Sequence, residues 1–264
     1  MSDRPTTAIV TGASTGIGRE LARLLAADGH HVTLVARDRS RLDQLAAELR
    51  ERHGREAAVI VADLAEPGAP ETIVRQVEAA GRDVAVLVNN AGIGSHGPFA
   101  AADLARELAI IQVNVTALAH LTGLVVPGMV RRRSGRILNI ASTAAFQPGP
   151  LMATYYASKA FVLSFSEALD AELAGSGVTV TVLCPGPTRT EFQQRAGMHG
   201  VPVASGFPPM MDGATVARVG FRAMRRGVRL AVPGLLNRLA VFSVRLGPRR
   251  LATAVVHGLN RRRS

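Results

Sequence analysis

At 264 residues, 47% apolar and 19% charged, the chain can bury a full hydrophobic core and is too apolar to be disordered. One cysteine, Cys184, excludes an internal disulfide and any multi-cysteine zinc site, and is compatible with a reducing compartment. The net charge of +11 sits in the tail: residues 213–264 carry twelve arginines and no acid, whereas residues 1–212 hold 19 basic and 20 acidic groups.

Near the N-terminus, Thr6–Val10 is strand-like and too short for a secretory signal, so a cytoplasmic location is expected. From there, β-branched runs alternate with helical patterns. Ala8–Thr11, His31–Val35, Ala57–Ala62, Val84–Asn89, Arg136–Ala141 and Val178–Cys184 read as buried strands. Helical periodicity falls near Ile17–Ala27, Arg39–Arg52, Glu71–Ala80, Asp103–Val126 and Tyr155–Ala174. The longest uncharged run, Leu108–Val130, contains Gln112, Asn114, His120 and Pro127 and reads as a buried helix rather than a membrane span. Pro185–Asp212 is a long Pro-, Gly- and Met-bearing loop, Arg229–Val232 offers one more strand, and short amphipathic helices close the chain. The predicted fold class is α/β: one Rossmann-type, doubly wound parallel sheet of about seven strands, helices on both faces, and a short helical C-terminal extension. One domain is expected over 1–264, with a cofactor and catalytic core at 1–190, a substrate loop at 191–212 and a basic amphipathic extension at 233–264.

The first strand runs into Thr11-Gly12-Ala13-Ser14-Thr15-Gly16-Ile17-Gly18 and then a helix. Glycines there permit a tight turn and close approach of backbone N–H groups to a pyrophosphate, and the helix N-terminus favours the anion. The Gly-x3-Gly-x-Gly spacing resembles that of the short-chain dehydrogenase/reductase family. Further along, Asp63-Leu64 follows the third strand, Asn89-Asn90-Ala91-Gly92 the fourth, Ser142 the fifth and Pro185-Gly186 the sixth, leading to Thr188 and Thr190. Asn114 lies on the long helix, and Tyr155-x3-Lys159 opens the next. The resemblance covers about residues 6–190 and implies a catalytic set of Asn114, Ser142, Tyr155 and Lys159. It implies cofactor contacts at Gly12, Ser14, Thr15, Gly16, Ile17, Gly18, Arg37, Asp63, Leu64, Asn90, Ala91, Gly92, Tyr155, Lys159, Pro185, Gly186, Thr188 and Thr190.

The residues carry a chemistry of their own. Four residues apart on a helix, Tyr155 and Lys159 share a face, and Lys159 is the only lysine among 31 basic residues. A free phenol with pKa near ~10 is a poor acid/base at neutrality, and a neighbouring ammonium lowers it. Ser142, at a strand end, is placed to donate to a developing alkoxide. By the resemblance, Asn114 holds a water and continues a proton relay to Lys159. The activity this implies is hydride transfer between a nicotinamide cofactor and a carbonyl or alcohol. The alternative is a non-catalytic NADP(H)-binding regulatory or scaffold protein with the same fold.

Cofactor choice is read after the second strand. An acid there accepts from a ribose 2′-OH, whereas arginine accommodates a 2′-phosphate. Ala36-Arg37, with Arg39 and Arg41 behind, favours NADP(H) over NAD(H). Asp38 falls too late for the 2′-OH, and Thr15 stands where many NADP-dependent relatives carry a basic residue. Ile93–His96, Ala144–Met152 and residues 191–211 are the expected pocket walls. Phe192, Met198, Val201, Val203, Phe207, Met210 and Met211 predict an apolar substrate, steroid-like, aromatic or fatty; the alternative is that they pack the lid.

Seven scattered histidines form no His-x3-His pair, so no metal is expected, and Cys184 reads as inert packing. Few aromatics and no recognised module argue against nucleic acid. Family resemblance and the apolar circumference of the long helices predict a homodimer or homotetramer. In the tail, Leu235, Leu239, Phe242 and Leu246 recur at helical spacing with Arg238 and Arg245 on one flank. Either that face lies on an anionic membrane, or it closes over the substrate loop or a partner subunit.

Overall fold

The computed structural model describes residues 4–198, 200–202 and 210–261. The first half alternates β1 (Thr6–Thr11), α1 (Gly16–Ala27), β2 (His31–Ala36), α2 (Arg39–His53), β3 (Ala57–Val61), α3 (Ala69–Ala79) and β4 (Asp83–Asn89). A long helical run follows: α4 (Leu104–Ile111), a π turn (Gln112–Thr116) and α5 (Ala117–Arg132). Then come β5 (Gly135–Ile140), α6 (Ala153–Glu172), β6 (Val178–Leu183), β7 (Thr188–Arg189) and α7 (Phe192–Arg195). The chain ends with β8 (Met211–Asp212), α8 (Gly213–Arg225), β9 (Leu230–Ala231), α9 (Leu235–Leu246) and α10 (Arg249–Asn260).

Seven parallel strands form one sheet in the order β3-β2-β1-β4-β5-β6-β9, and β7 and β8 form a small separate pair. Alternate strand residues feed two cores, as a pleated strand requires. Ala8 and Val10 point with Leu34, Val88 and Leu138 towards α1, α2 and α8. Ile9 points with Leu87 and Ile137 towards α3, α5 and α6. Both faces are therefore covered, which explains why the strands read as continuous apolar runs.

Three differences from the sequence expectation stand out among smaller shifts at element ends. The long helix continues through Pro127 to Arg132, where an end at Val126 was predicted. Proline forfeits one bond to the carbonyl of residue 123, which is glycine, and burial of Leu121, Val125 and Met129 on the sheet outweighs that loss. By length and composition the run Leu104–Arg132 is also long and apolar enough to cross a membrane. Its inner side is core instead. Second, α8 forms where no element was predicted; Asp212 caps it, accepting from the Thr215 N–H at 2.7 Å. Third, α6 starts two residues before Tyr155.

A polar chain crosses the middle of the sheet. Asn89 Nδ2 donates to Asn139 Oδ1 at 2.9 Å and to Thr122 Oγ1 at 3.0 Å, and Asn139 Nδ2 donates to Ser166 Oγ at 2.9 Å. All four residues are buried. The chain ties β4 and β5 to α5 and α6.

Candidate active site

The strand order reverses between β1 and β4, and the crevice beyond their carboxyl ends is where such sheets bind ligands. There, Asn90 Nδ2 donates to the carbonyls of Thr11 (2.9 Å) and Gly12 (3.2 Å), while Thr11 Oγ1 accepts from the Asn90 and Ala91 N–H groups, each at 3.0 Å. The turn is too close for side chains. A Cβ on Gly18 would lie 2.4 Å from the Gly12 carbonyl oxygen, and Gly12 itself has φ +65°. Ser14, Thr15, Gly16 and Ile17 complete the cradle at the start of α1. Thr190 closes over it, 3.1 Å from where a Gly16 Cβ would stand.

At the β2 end, Arg37 is exposed and pairs with Asp63 at 3.4 Å; Asp63 also accepts from the Ala65 N–H at 3.0 Å, beside buried Leu64. Asp38 caps α2 by accepting from the Arg41 N–H at 3.1 Å, so its carboxylate is held at a helix start. Arg41 reaches 2.8 Å to Glu191, which also holds Arg195 at 2.5 Å. These pairings span the rim between α2 and the loop after β7, and hydrogen bonding from Arg41 holds the Glu191 carboxyl below the usual carboxylate range.

On the other side, α6 brings Tyr155 and Lys159 to one face. Lys159 is buried, its Nζ donates to the Ile140 carbonyl at 2.8 Å, and it lies 5.8 Å from the Tyr155 ring centroid. Burial lowers its pKa to about 8. Burial raises that of Tyr155 above the ordinary phenol value, opposed by a hydrogen bond with Ser142. Ser142 caps the short 3-10 turn after β5, accepting from the Ala144 N–H at 3.1 Å, and reaches the Pro185 carbonyl at 3.4 Å. Asn114 sits in the π turn, a local widening that recurs at functional sites. Its Oδ1 accepts from the Ile93 N–H at 2.9 Å, and its Nδ2 donates to the Ile93 carbonyl and to Ser158 Oγ, each at 3.0 Å. A Cβ on Gly92 would stand 3.4 Å from both Asn114 Oδ1 and Lys159 Nζ, so this segment threads between them. Cys184 is buried beside Lys159, and burial pushes its thiol up to about 12.

All the predicted site residues except Gly18 and Asn114 line one cleft of about 1190 Å³, which runs from Gly12 and Arg37 past Tyr155 to the C-terminal helices. Asn114 stands behind its wall, bonded to Ile93. Ile93, Ala144, Met152, Phe192 and Met198 are on its wall as expected. Phe192 packs on the Tyr155 ring at 5.1 Å between centroids. Val201 is buried in a cluster with Met152 and Met198, and Met211 packs on the core against α8. Val203 and Phe207 lie outside the described residues. His96 turns away from the wall to the C-terminus, its Nε2 2.7 Å from the Asn260 carbonyl oxygen.

The sequence reading missed Thr11 and Arg106, and above all α9 and α10, which roof the cleft with Asn237, Val241, Val244, Val256 and Asn260. Asn237 packs so tightly on Gly186 that a Cβ there would lie 2.4 Å from its Oδ1. Asn260 Nδ2 donates to the Pro150 carbonyl at 3.0 Å. Amphipathic spacing marked these helices; only the fold assigns their inner face.

This combination of fold and crevice defines a dinucleotide-binding α/β protein. The chain belongs to the short-chain dehydrogenase family, whose pattern matches residues 6–199. It is 42% identical over 184 residues to a very-long-chain 3-oxoacyl-CoA reductase from Anas platyrhynchos, covering 67% of this chain and 58% of that protein. The match thus spans less than two thirds of that relative's length. Among solved structures, it resembles a short-chain dehydrogenase from Sphingobium yanoikuyae in complex with NADPH, at TM-score 0.81 and 36% identity over 92% of this chain and 94% of that one. The bulky-bulky ketone specific alcohol dehydrogenase from Comamonas testosteroni is similar at TM-score 0.77 and 30% identity, over 92% and 93%.

Proposed function

We propose that the protein is an NADP(H)-dependent oxidoreductase that reduces the carbonyl of an apolar substrate, or oxidises the matching alcohol. The observation that carries this reading is the meeting of Ser142, Tyr155 and Lys159 in a largely apolar cleft whose far end is a cradle with no room for a Cβ. That cradle fits a pyrophosphate: Gly12, Ser14–Gly18 and Asn90–Gly92 would hold it. Arg37 would take the 2′-phosphate, Asp63 and Leu64 the adenine, and Pro185, Gly186, Thr188 and Thr190 the nicotinamide end. When bound, the cofactor supplies the hydride.

The chain's own residues handle the proton and the oxygen. Tyr155 Oη gives its proton to the carbonyl oxygen, and Ser142 Oγ donates to the same atom. Lys159 would hold the ribose hydroxyls and stabilises the phenolate left behind, while Asn114 fixes the Ile93 and Ser158 segments around it. The apolar wall of Ile93, Met152, Phe192, Met198 and Val241 suits a steroid-like, aromatic or fatty ketone or aldehyde. The names of the Anas and Comamonas relatives, with their acyl and bulky-ketone substrates, agree with that class.

Turnover of NADPH with a carbonyl series tests the reading: long apolar ketones should exceed short polar ones in kcat/KM. Comparable rates would contradict the apolar assignment, and no oxidation of NADPH with any carbonyl would favour a cofactor-binding scaffold. In the same assay, Arg37→Asp should move the NADP(H)/NAD(H) ratio of kcat/KM towards NAD(H) by at least about tenfold, or ~1.4 kcal/mol. A ratio that stays put removes Arg37 as the discriminator.

Leu104, Leu108 and Ile111 on α4 and Phe161 on α6 are exposed. Such a face supports pairing with a second copy, as a homodimer or, with a further interface, a homotetramer. Light scattering at micromolar concentration is expected to give at least the dimer mass; a monomer contradicts it.

A further inference from the structure

The roof over the cleft has a second face. On α9, Leu235, Leu236, Leu239, Phe242 and Leu246 are each 55–74% exposed, while Val241 turns inward to the core and the cleft. On α10, Leu251 and Val255 are more than half exposed and also line the cleft, so they form its lip. Folding has therefore left a large apolar stripe in water beside the cleft opening, which soluble surfaces rarely tolerate without a partner.

Charge identifies the partner. Exposed Arg249 and Arg250 open α10, Arg238 flanks the stripe, and Arg261 follows the helix. Arg249, Arg250 and Arg261 form no ion pair with any described residue. No acid occurs after Asp212. A second copy of this chain is a poor occupant, because a two-fold contact through α9 and α10 would set arginine against arginine with nothing to offset it. Nucleic acid would match the arginines and leave the leucines in water.

We propose that α9 and α10 dock the protein on an anionic lipid surface, with the apolar stripe in the acyl boundary, the arginines among the headgroups and the lip of the cleft facing the lipid. The docking is independent of the substrate assignment. It rests on the outer face of the two helices, whereas catalysis uses residues on the inner side. Where both hold, an apolar substrate reaches Tyr155 from the bilayer without crossing water.

Sedimentation of the full chain with vesicles decides it. Binding is expected to vesicles of phosphatidylcholine and phosphatidylserine in equal parts, and to weaken strongly between about 0.1 M and about 1 M salt. Pure phosphatidylcholine should bind little. Replacing Arg249 and Arg250 by alanine should weaken partition about fivefold per arginine. The double variant Leu239→Glu/Phe242→Glu, exposed and outside the cleft, should lose binding while keeping its melting temperature and turnover of a soluble carbonyl. The proposal is overturned by no binding at low salt. It is overturned equally if the glutamate variant binds as well as the parent, which would mean adsorption by charge alone. A self-association that disappears in that variant would make the stripe an interface between copies, and would also overturn it. Should the glutamate variant fail to melt cooperatively, Leu236→Glu alone repeats the test.

Discussion

Tyr155→Phe is expected to lower kcat for carbonyl reduction by about 10³-fold with NADPH still bound, the scale of a lost general acid. Burial raises the phenol above its ordinary pKa, which keeps the hydroxyl protonated through neutral pH but makes it a weaker acid. Its gift of a proton therefore depends on the stabilisation that Ser142 and Lys159 give the phenolate. The ring is fixed between Tyr156 and Phe192, at centroid distances of 6.1 and 5.1 Å. Phenylalanine preserves that packing and removes only the proton and its hydrogen bond with Ser142. NADPH absorbance reports the rate and nicotinamide fluorescence the binding. Retention of a tenth or more of the parent kcat would mean the proton comes from elsewhere. Tyr156 offers no substitute, since its hydroxyl faces Asn260.

Lys159→Met should cost about 10²-fold in kcat, through lost stabilisation of the phenolate and a looser ribose. It should also leave a signature in stability that a purely structural role would not. The buried ammonium is shifted from 10.5 down to about 8. Below about pH 8 the folded and unfolded chains are both protonated, and burying the charge destabilises the fold by on the order of 3 kcal/mol. Between about 8 and 10.5 the unfolded chain binds the proton and the folded one releases it, so stability rises with pH. The Cys184 thiol, pushed from 9 up to about 12, works in the opposite direction above pH 9. The clean window therefore runs from about pH 7 to about pH 9. There, the melting temperature of the parent should climb relative to Lys159→Met by roughly 2–4 °C, or about 1 kcal/mol. A constant difference would show that the lysine is not buried as a cation.

Much of this site was legible because its signals are local. Gly12, Gly16 and Gly18 sit on a single turn, Tyr155 and Lys159 on a single helical face, and Arg37 directly follows a strand. Strand type was equally plain, since burial on both faces makes each strand a continuous apolar run. The parts that escaped depend on distant partners. Nothing near Asn237 or Asn260 says that they meet Gly186 and Pro150. Helix α8 was legible and still escaped: Val216, Ala217, Gly220, Ala223 and Met224 recur on one face, and Asp212 three residues before Thr215 is a recognisable cap. Pro127 misled for the opposite reason: a strong local breaker was overruled by the packing of α5.

The asparagines at the centre of the sheet bear on how the fold is reached. Parallel strands have no hairpin to set their alignment, and their pairing waits on slow, long-range chain closure. Asn89 and Asn139 stand opposite each other in the β4–β5 register and share a hydrogen bond. A slip of one residue would turn the sliding strand's amide to the other face, into apolar core, and leave it without a partner at a cost of about 1–3 kcal/mol. The other amide would keep only its helix partner, Thr122 or Ser166. The pair thus acts as an alignment key. Misregistered intermediates are penalised before the Asn90–Gly92 segment and Ser142, which follow these two strands, are ever brought level with each other.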